Sequence, residues 1–382
     1  MLKFYKLRDY NFRLVLWLLM ISGVGVLLVG SAMKSLQTRQ LAGVILGIVV
    51  MVIVSLMDFS WLLNFYWVLY VLNIVMLLVV RFFGEETAGA TRWLDLGFIR
   101  FQPTELSKIL LIMFFARYLL NHEDDLNTPK TILSSVALLA VPLFLILDQP
   151  DLKNTITVAV VFCVIMYIAG LSYKIIGGIL AVAIPLLIVA MFLITKTDIK
   201  IIDDYQKGRI MAWLYPEDEE YKERARQQTN SITAIGSGQL TGKGYNNNEV
   251  SSANKGDFVS QIQTDFIFAV AGEELGFWGG FGIIVLLFLI VLECILTSRR
   301  AKDLSGKILC CGVATVVGFQ SFLNISVATG LLPNTGTPLP FVSYGLTSMV
   351  SLYIGMGLVL NVGLQNRRYP GGETNEHRLH RA

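Results

Sequence analysis

About ten stretches of roughly twenty residues, nearly free of charge, run through this 382-residue chain. A bilayer core about 30 Å thick takes about 20 apolar residues per helical crossing. Inside lipid every backbone polar group must be satisfied within the protein, which leaves helices or closed barrels. The runs lie near 13–33, 41–57, 61–81, 105–121, 131–147, 154–172, 174–195, 275–297, 308–330 and 341–363. Their length and continuous apolar character select helices, so the expected fold is all-α: one polytopic membrane domain over 1–382 with about ten transmembrane helices. Composition agrees, with 54% hydrophobic and 15% charged residues against about 25% charged in soluble chains. The first run is longer than a signal-peptide core and is expected to be retained. Pro185, inside the seventh run, predicts a kink.

The few charges orient the chain. Lys3, Lys6 and Arg8, then Arg299, Arg300 and Lys302, then Arg367 and Arg368 mark one side, which the positive-inside rule assigns to the cytoplasm with both termini. Parity then puts 82–104, 148–153 and the long segment 196–264 outside. That last loop is expected to be partly helical at the membrane surface. The net charge of +3 is dispersed, so no nucleic-acid partner is expected. Cys163, Cys294, Cys310 and Cys311 sit in apolar runs without metal spacing and read as small hydrophobes. The histidines, His122, His377 and His380, build neither a metal site nor a Ser-His-Asp triad.

Chemistry is expected on the outer face. Asp265, in Gln263–Thr264–Asp265–Phe266, stands where a helix enters the membrane surface. It reads either as a helix cap or as a partly desolvated carboxylate that takes a proton from a substrate hydroxyl. Glu273 is eight residues on, too far along a helix to form a close dyad; it and Glu274 read as pairing or capping groups. Glu105 and Lys108, after the candidate N-cap Thr104, share a helix face: a structural ion pair, or the lining of a polar cavity whose lysine faces an anion. Arg92, beside Trp93, is an interfacial anchor or a phosphate ligand. The stretch Gly236–Gly244 fails the P-loop spacing, because Ser237 stands where the first glycine belongs and Gly244 follows Lys243. It reads as a solvated glycine loop, or as a turn aiming backbone N–H groups and Lys243 at a phosphate. Gly330–Gly345, rich in proline and glycine, reads as a rigid wall of the site, with Ser343 a substrate-binding candidate.

These segments together resemble the shape, elongation, division and sporulation (SEDS) family over nearly all spans. The carriers are Gly89–Asp95 with Arg100–Lys108, Gln149–Leu152, Tyr205–Ile210 with Pro216 and Glu217, Ala234–Gly238, Gly242–Gly244, Thr264–Phe268, Glu273–Gly276 and Gly330–Gly345. Thr335–Pro338 is most like the rod-elongation branch. The resemblance implies a peptidoglycan glycosyltransferase polymerising lipid II at the outer face of the bacterial cytoplasmic membrane. It also implies a class B penicillin-binding transpeptidase and the elongation machinery as partners, besides membrane lipids. In the family pattern Asp265 is the essential carboxylate, Glu105 and Lys108 belong to a QPxExxK motif, and Arg209 and Asp257 are further matched site positions. Departures from the pattern fall at Lys153, Ser260, Gln261, Gln263 and Leu346. Arg209, Lys108, Arg92 and Lys243 are the candidate cations for a departing pyrophosphate. A divalent cation, Mg or Mn, is expected only as a companion of that pyrophosphate. The competing expectations are a division- or sporulation-type polymerase, a lipid-precursor flippase or transporter, and a noncatalytic scaffold.

Overall fold

The computed structural model describes residues 9–87, 90–95, 97, 100–178, 181, 185, 204–246 and 261–365. Helices α1 (Phe12–Ala32), α2 (Lys34–Leu56), α3 (Phe59–Leu63) and α4 (Tyr66–Phe83) come first, followed by α5 (Pro103–Leu120), α6 (Pro129–Asp148) and α7 (Leu152–Ala169). Then come α8 (Asp204–Leu214), α9 (Lys222–Ser237), α10 (Ile267–Ser298), α11 (Leu304–Ala328) and α12 (Leu346–Leu364). Eight of these are long and apolar enough to cross a membrane. Each of those eight matches a run expected from hydropathy, and a ninth run is α5, too polar to be counted with them because of Glu105, Lys108 and Arg117. Of run 174–195 only 174–178, 181 and Pro185 are described, so the greater part of that span, and the course of the expected kink, lie outside the described residues.

Short polar residues start the helices. Asn11, Asp58, Thr128, Asp151 and Asp303 each accept a backbone N–H from the first turn of the helix they precede, which satisfies donors the helix cannot. Thr104 does not cap α5. Gln102 holds the cap position, Pro103 opens the helix, and no side chain caps it.

The bundle is layered by polarity. In α11 and α12, 72% of the apolar window is buried, against 17% in α4, so α11 and α12 are core and α4 is periphery. α5 is core as well, buried along nearly its whole length. The outer faces carry large apolar side chains such as Val68 (62% exposed) and Phe288 (61%). An exposed apolar surface that extends round a bundle is stable in lipid and aggregates in water.

Two local features differ from the sequence expectations, and the start of the eighth span agrees with them. The segment before α5 folds into an antiparallel sheet of β1 (Glu85–Thr87), β2 (Ala90–Asp95) and β3 (Arg100–Phe101), with Leu94 opposite Phe101 and Asp95 opposite Arg100. The last span starts at Leu346, and residues 341–345 belong to the loop before it. α10 is broken at Gly276 (φ 66°, ψ −162°), so a buried helix from Ile267 to Leu275 precedes the span.

The glycine-rich loop explains that break. The amides of Lys243 and Gly244 donate to the carbonyls of Glu273 and Glu274 at 2.9 and 3.0 Å. Those of Phe277 and Trp278 donate to the carbonyls of Gln239 and Leu240 at 2.8 and 3.3 Å. The loop therefore completes the end of one helix and the start of the next, groups that are otherwise orphaned. Its amides point at protein carbonyls, which overturns the expectation of a phosphate-cradling turn.

Candidate active site

Polar loops gather at one end of the bundle. Arg92 in β2 donates through Nε to the Gln149 carbonyl at 3.4 Å and through Nη2 to the Pro150 carbonyl. Gln206 of α8 also donates to the Pro150 carbonyl, and the Trp213 indole N–H donates to the Gly330 carbonyl at 2.9 Å. The opposite end is closed by Lys302, which bonds Ser60 and Gln365 and stands over the Phe59 ring.

Beneath the polar end lies a buried network. Lys108 Nζ is 2.9 Å from Glu105 Oε2 and 3.1 Å from Asn154 Oδ1. The Asn154 amide donates to Asp151 Oδ2 at 2.8 Å and to Thr104 Oγ1 at 3.1 Å, and Gln102 donates to Asp151 at 3.4 Å. Glu105 and Lys108 are each 2% exposed and Asp151 is fully buried. Buried charges persist only when paired and hydrogen-bonded, so the ion-pair alternative for Glu105 and Lys108 is the one realised. Glu105 Oε1 accepts no hydrogen bond, though the Lys153 charge and the Ser348 hydroxyl are within electrostatic reach.

Asp265 is partly exposed above this network. It does not cap α10: Phe266 holds the cap position and no side chain bonds there. Among the described residues its carboxylate makes no hydrogen bond and no ion pair. Its backbone, by contrast, is held from two sides. Asn324 of α11 donates from one amide nitrogen to the Asp265 carbonyl at 2.8 Å and to the Thr337 carbonyl at 2.7 Å. Ser343 donates to the Thr264 carbonyl at 2.6 Å and accepts from the Leu339 amide at 2.7 Å, while the Tyr344 amide donates to the Gln263 carbonyl at 2.9 Å. The expected wall, 330–345, is thus a strap tied to the segment that carries Asp265.

Gly336 is the point where that strap meets the charges. A Cβ there would lie 3.1 Å from Asp265 Oδ2 and 3.6 Å from Arg209 Nη1. Lys153, in the first turn of α7, donates to the Gly336 carbonyl. Asp265 and Arg209 therefore border the same position on the strap.

Other candidates are placed elsewhere. Lys243 pairs with Glu273 at 2.8 Å, beyond the far end of the Ile267–Leu275 helix from Asp265. The Ser343 hydroxyl and the Arg92 guanidinium bond backbone carbonyls, so both serve the scaffold of the site. Asp257 lies outside the described residues. Sequence reasoning missed Asn324, Asn154 and Lys153 as site members. Asp151 followed by Asn154 at the head of an apolar run was an available N-cap signal, whereas Asn324 sits mid-helix and carries none.

A lipid-facing bundle carries at its polar end a carboxylate, Asp265, that makes no hydrogen bond among the described residues, with Arg209 and Lys153 beside the same strap, which is the layout of a polytopic membrane protein with a polar site. The comparisons name the family. The model of the FtsW/RodA/SpoVE family, described as cell cycle protein, matches residues 11–368, and the chain belongs to that family. It is 33% identical over 330 residues to the peptidoglycan glycosyltransferase MrdB of Escherichia coli (strain K12), covering 86% of this chain and 85% of that protein. It is 31% identical over 381 residues to a probable peptidoglycan glycosyltransferase FtsW of Geobacter sulfurreducens, covering 96% and 98%. Among solved structures, a chain of a peptidoglycan synthase complex that coordinates polymerization and crosslinking superposes with TM-score 0.77 at 26% identity, covering 94% of this chain and 99% of that one. The rod shape determining protein RodA of Thermus thermophilus gives 0.68 at 25% identity, covering 94% and 98%.

Proposed function

We propose that this chain is a peptidoglycan glycosyltransferase that joins lipid II units into β-1,4 glycan at the outer face of a bacterial cytoplasmic membrane, in cell elongation and shape maintenance. The observation that carries the reading is the Asp265 carboxylate: accessible, free of hydrogen bonds among the described residues, and fixed through its own backbone by Asn324. Asp265 takes the proton from the 4-hydroxyl of the acceptor sugar as that oxygen attacks the anomeric carbon of the donor. The carbon inverts, and the polyprenyl pyrophosphate departs with the bonding pair. General-base assistance supplies about 10² to 10⁴ in rate; alignment and charge stabilisation of the leaving group supply the rest. Arg209 is the nominated cation that borders Gly336 together with Asp265.

The Lys/Arg distribution supports an outward-facing site with cytoplasmic termini. A class B penicillin-binding transpeptidase belongs to the reading as partner, because the solved neighbour comes from a complex that couples polymerization to crosslinking. A divalent cation, Mg or Mn, would arrive with the pyrophosphate: Asp151 and Glu105 are already bonded within the buried network, which leaves Asp265 as a carboxylate, among the described residues of the site, able to serve it. A transporter needs broken helices in matched halves; among the described residues the break at Gly276 has no counterpart in the first half.

The test is lipid II polymerisation in detergent by the wild type and Asp265→Asn, each with and without the transpeptidase. Wild type is expected to make glycan, and the variant to lose about two orders of magnitude or more. Equal output from both would overturn the general-base role, and no glycan from either with the partner present would favour a transporter or scaffold.

A further inference from the structure

We propose that Lys153 is an anion-binding residue of this site, which holds the diphosphate of an isoprenoid-linked substrate next to Asp265 and Arg209. The substrate class rests on the glycosyltransferase reading, whereas the binding role rests on the geometry around Gly336. Lys153 follows Asp151 by two residues, yet its side chain leaves the buried network and crosses to the Gly336 carbonyl, the residue against which Asp265 and Arg209 both stand. An ammonium carries three N–H donors. One is used on that carbonyl, and among the described residues Lys153 makes no ion pair.

The other nominated cations are occupied. Lys108 serves Glu105 and Asn154, Lys243 serves Glu273, and Arg92 serves two backbone carbonyls. Lys153 also acts electrostatically on Glu105 at the edge of that network, but its ammonium hydrogen bond goes to the Gly336 carbonyl. Asp151 and Glu105 bring two negative charges, Lys108 returns one, and the helix starts at α7 and α5 beside them contribute roughly half a positive charge each. A half-buried cation at the mouth of the site, whose ammonium is hydrogen-bonded among the described residues only to the Gly336 carbonyl, is placed to bind a phosphate at reduced dielectric.

The probe is farnesyl pyrophosphate, titrated into the purified full chain in detergent, with farnesol as the uncharged control. Lys153→Gln keeps an N–H for the Gly336 carbonyl and removes the charge; Lys153→Arg keeps the charge. Farnesyl pyrophosphate affinity is expected to fall about tenfold in Lys153→Gln and to stay within about threefold in Lys153→Arg, with farnesol binding alike in all three. A second measurement needs no variant: farnesyl pyrophosphate, and not farnesol, should protect Lys153 of the wild type from acetylation, read by mass spectrometry. Unchanged affinity in Lys153→Gln, or absence of protection, overturns the proposal. So does wild-type binding of dihexanoylphosphatidylglycerol as tight as that of farnesyl pyrophosphate, which would make this an ordinary headgroup contact. Because binding needs no turnover, an Asp265→Asn protein that polymerised normally would remove the general base and leave this comparison decisive for Lys153.

Discussion

Replacing Gly276 by alanine should destabilise this protein far more than the same change six residues along the same helix. At φ 66° and ψ −162° the backbone occupies a region that is essentially glycine-only, with a strain of about 1–3 kcal/mol for other residues. The added Cβ would stand 2.3 Å from the Gly242 nitrogen and 2.8 Å from the Leu240 oxygen, so the loop has to withdraw. Withdrawal breaks the four backbone bonds across the break, worth roughly 0.5–1.5 kcal/mol each, or about 2–6 kcal/mol together. The combined loss is at least about 3 kcal/mol, which corresponds to a melting temperature lower by about 6 °C or more at roughly 2 °C per kcal/mol. At Gly282 a Cβ meets nothing within 4 Å, and alanine there should be neutral or slightly stabilising. Thermal unfolding of both variants in one detergent decides the matter. A Gly276→Ala protein melting within about 2 °C of wild type, or a Gly282→Ala protein melting equally low, would refute the role given to the loop.

Two further outcomes follow from the buried contacts. Asn324→Leu leaves the Asp265 and Thr337 carbonyls without their shared donor and frees the segment carrying Asp265; kcat for polymerisation should fall about 10- to 100-fold with KM little changed, and an unaltered kcat would remove Asn324 from the positioning role. Lys108→Met strands the buried Glu105 carboxylate and should cost about 3–5 kcal/mol, part of which a second change, Glu105→Gln, should restore; a double variant that melts lower than the single one would show that the pair is not the source of the loss.

Hydropathy made the spans legible because a lipid-facing helix has to be apolar along its length whatever its neighbours are. It was less informative at α5, whose Glu105 and Lys108 look like surface residues until Asn154 and Asp151 arrive from a helix some forty-five residues later. Asp265 was legible as a carboxylate at a helix entrance, but the choice between cap and reactive group needed the Phe266 cap geometry. Lys153 and Asn324 act through the Gly336 strap, nearly two hundred and about a dozen residues away respectively, and separations of that kind leave no periodic trace. The loop at Gly236–Gly244 misled for a related reason: glycines that approach a phosphate and glycines that approach another backbone look the same in sequence.

A helix break one short helix away from Asp265 invites the idea of a hinge. Here the bonds that straddle Gly276 run in opposite senses, two into the carbonyls before it and two out of the amides after it, and the α9 end is pressed onto the same helix, with a Cβ at Gly238 falling 1.9 Å from the Gly272 oxygen. The two halves of α10 cannot pivot without tearing that seam, so α9, the loop and the Ile267–Leu275 helix travel as one rigid body. The strap is bound to the Asp265 segment through Asn324, Ser343 and Tyr344, whereas the Lys153 contact to Gly336 is a single bond, so α7 and the strap are joined there by a link that can open and re-form while the rest of the seam holds.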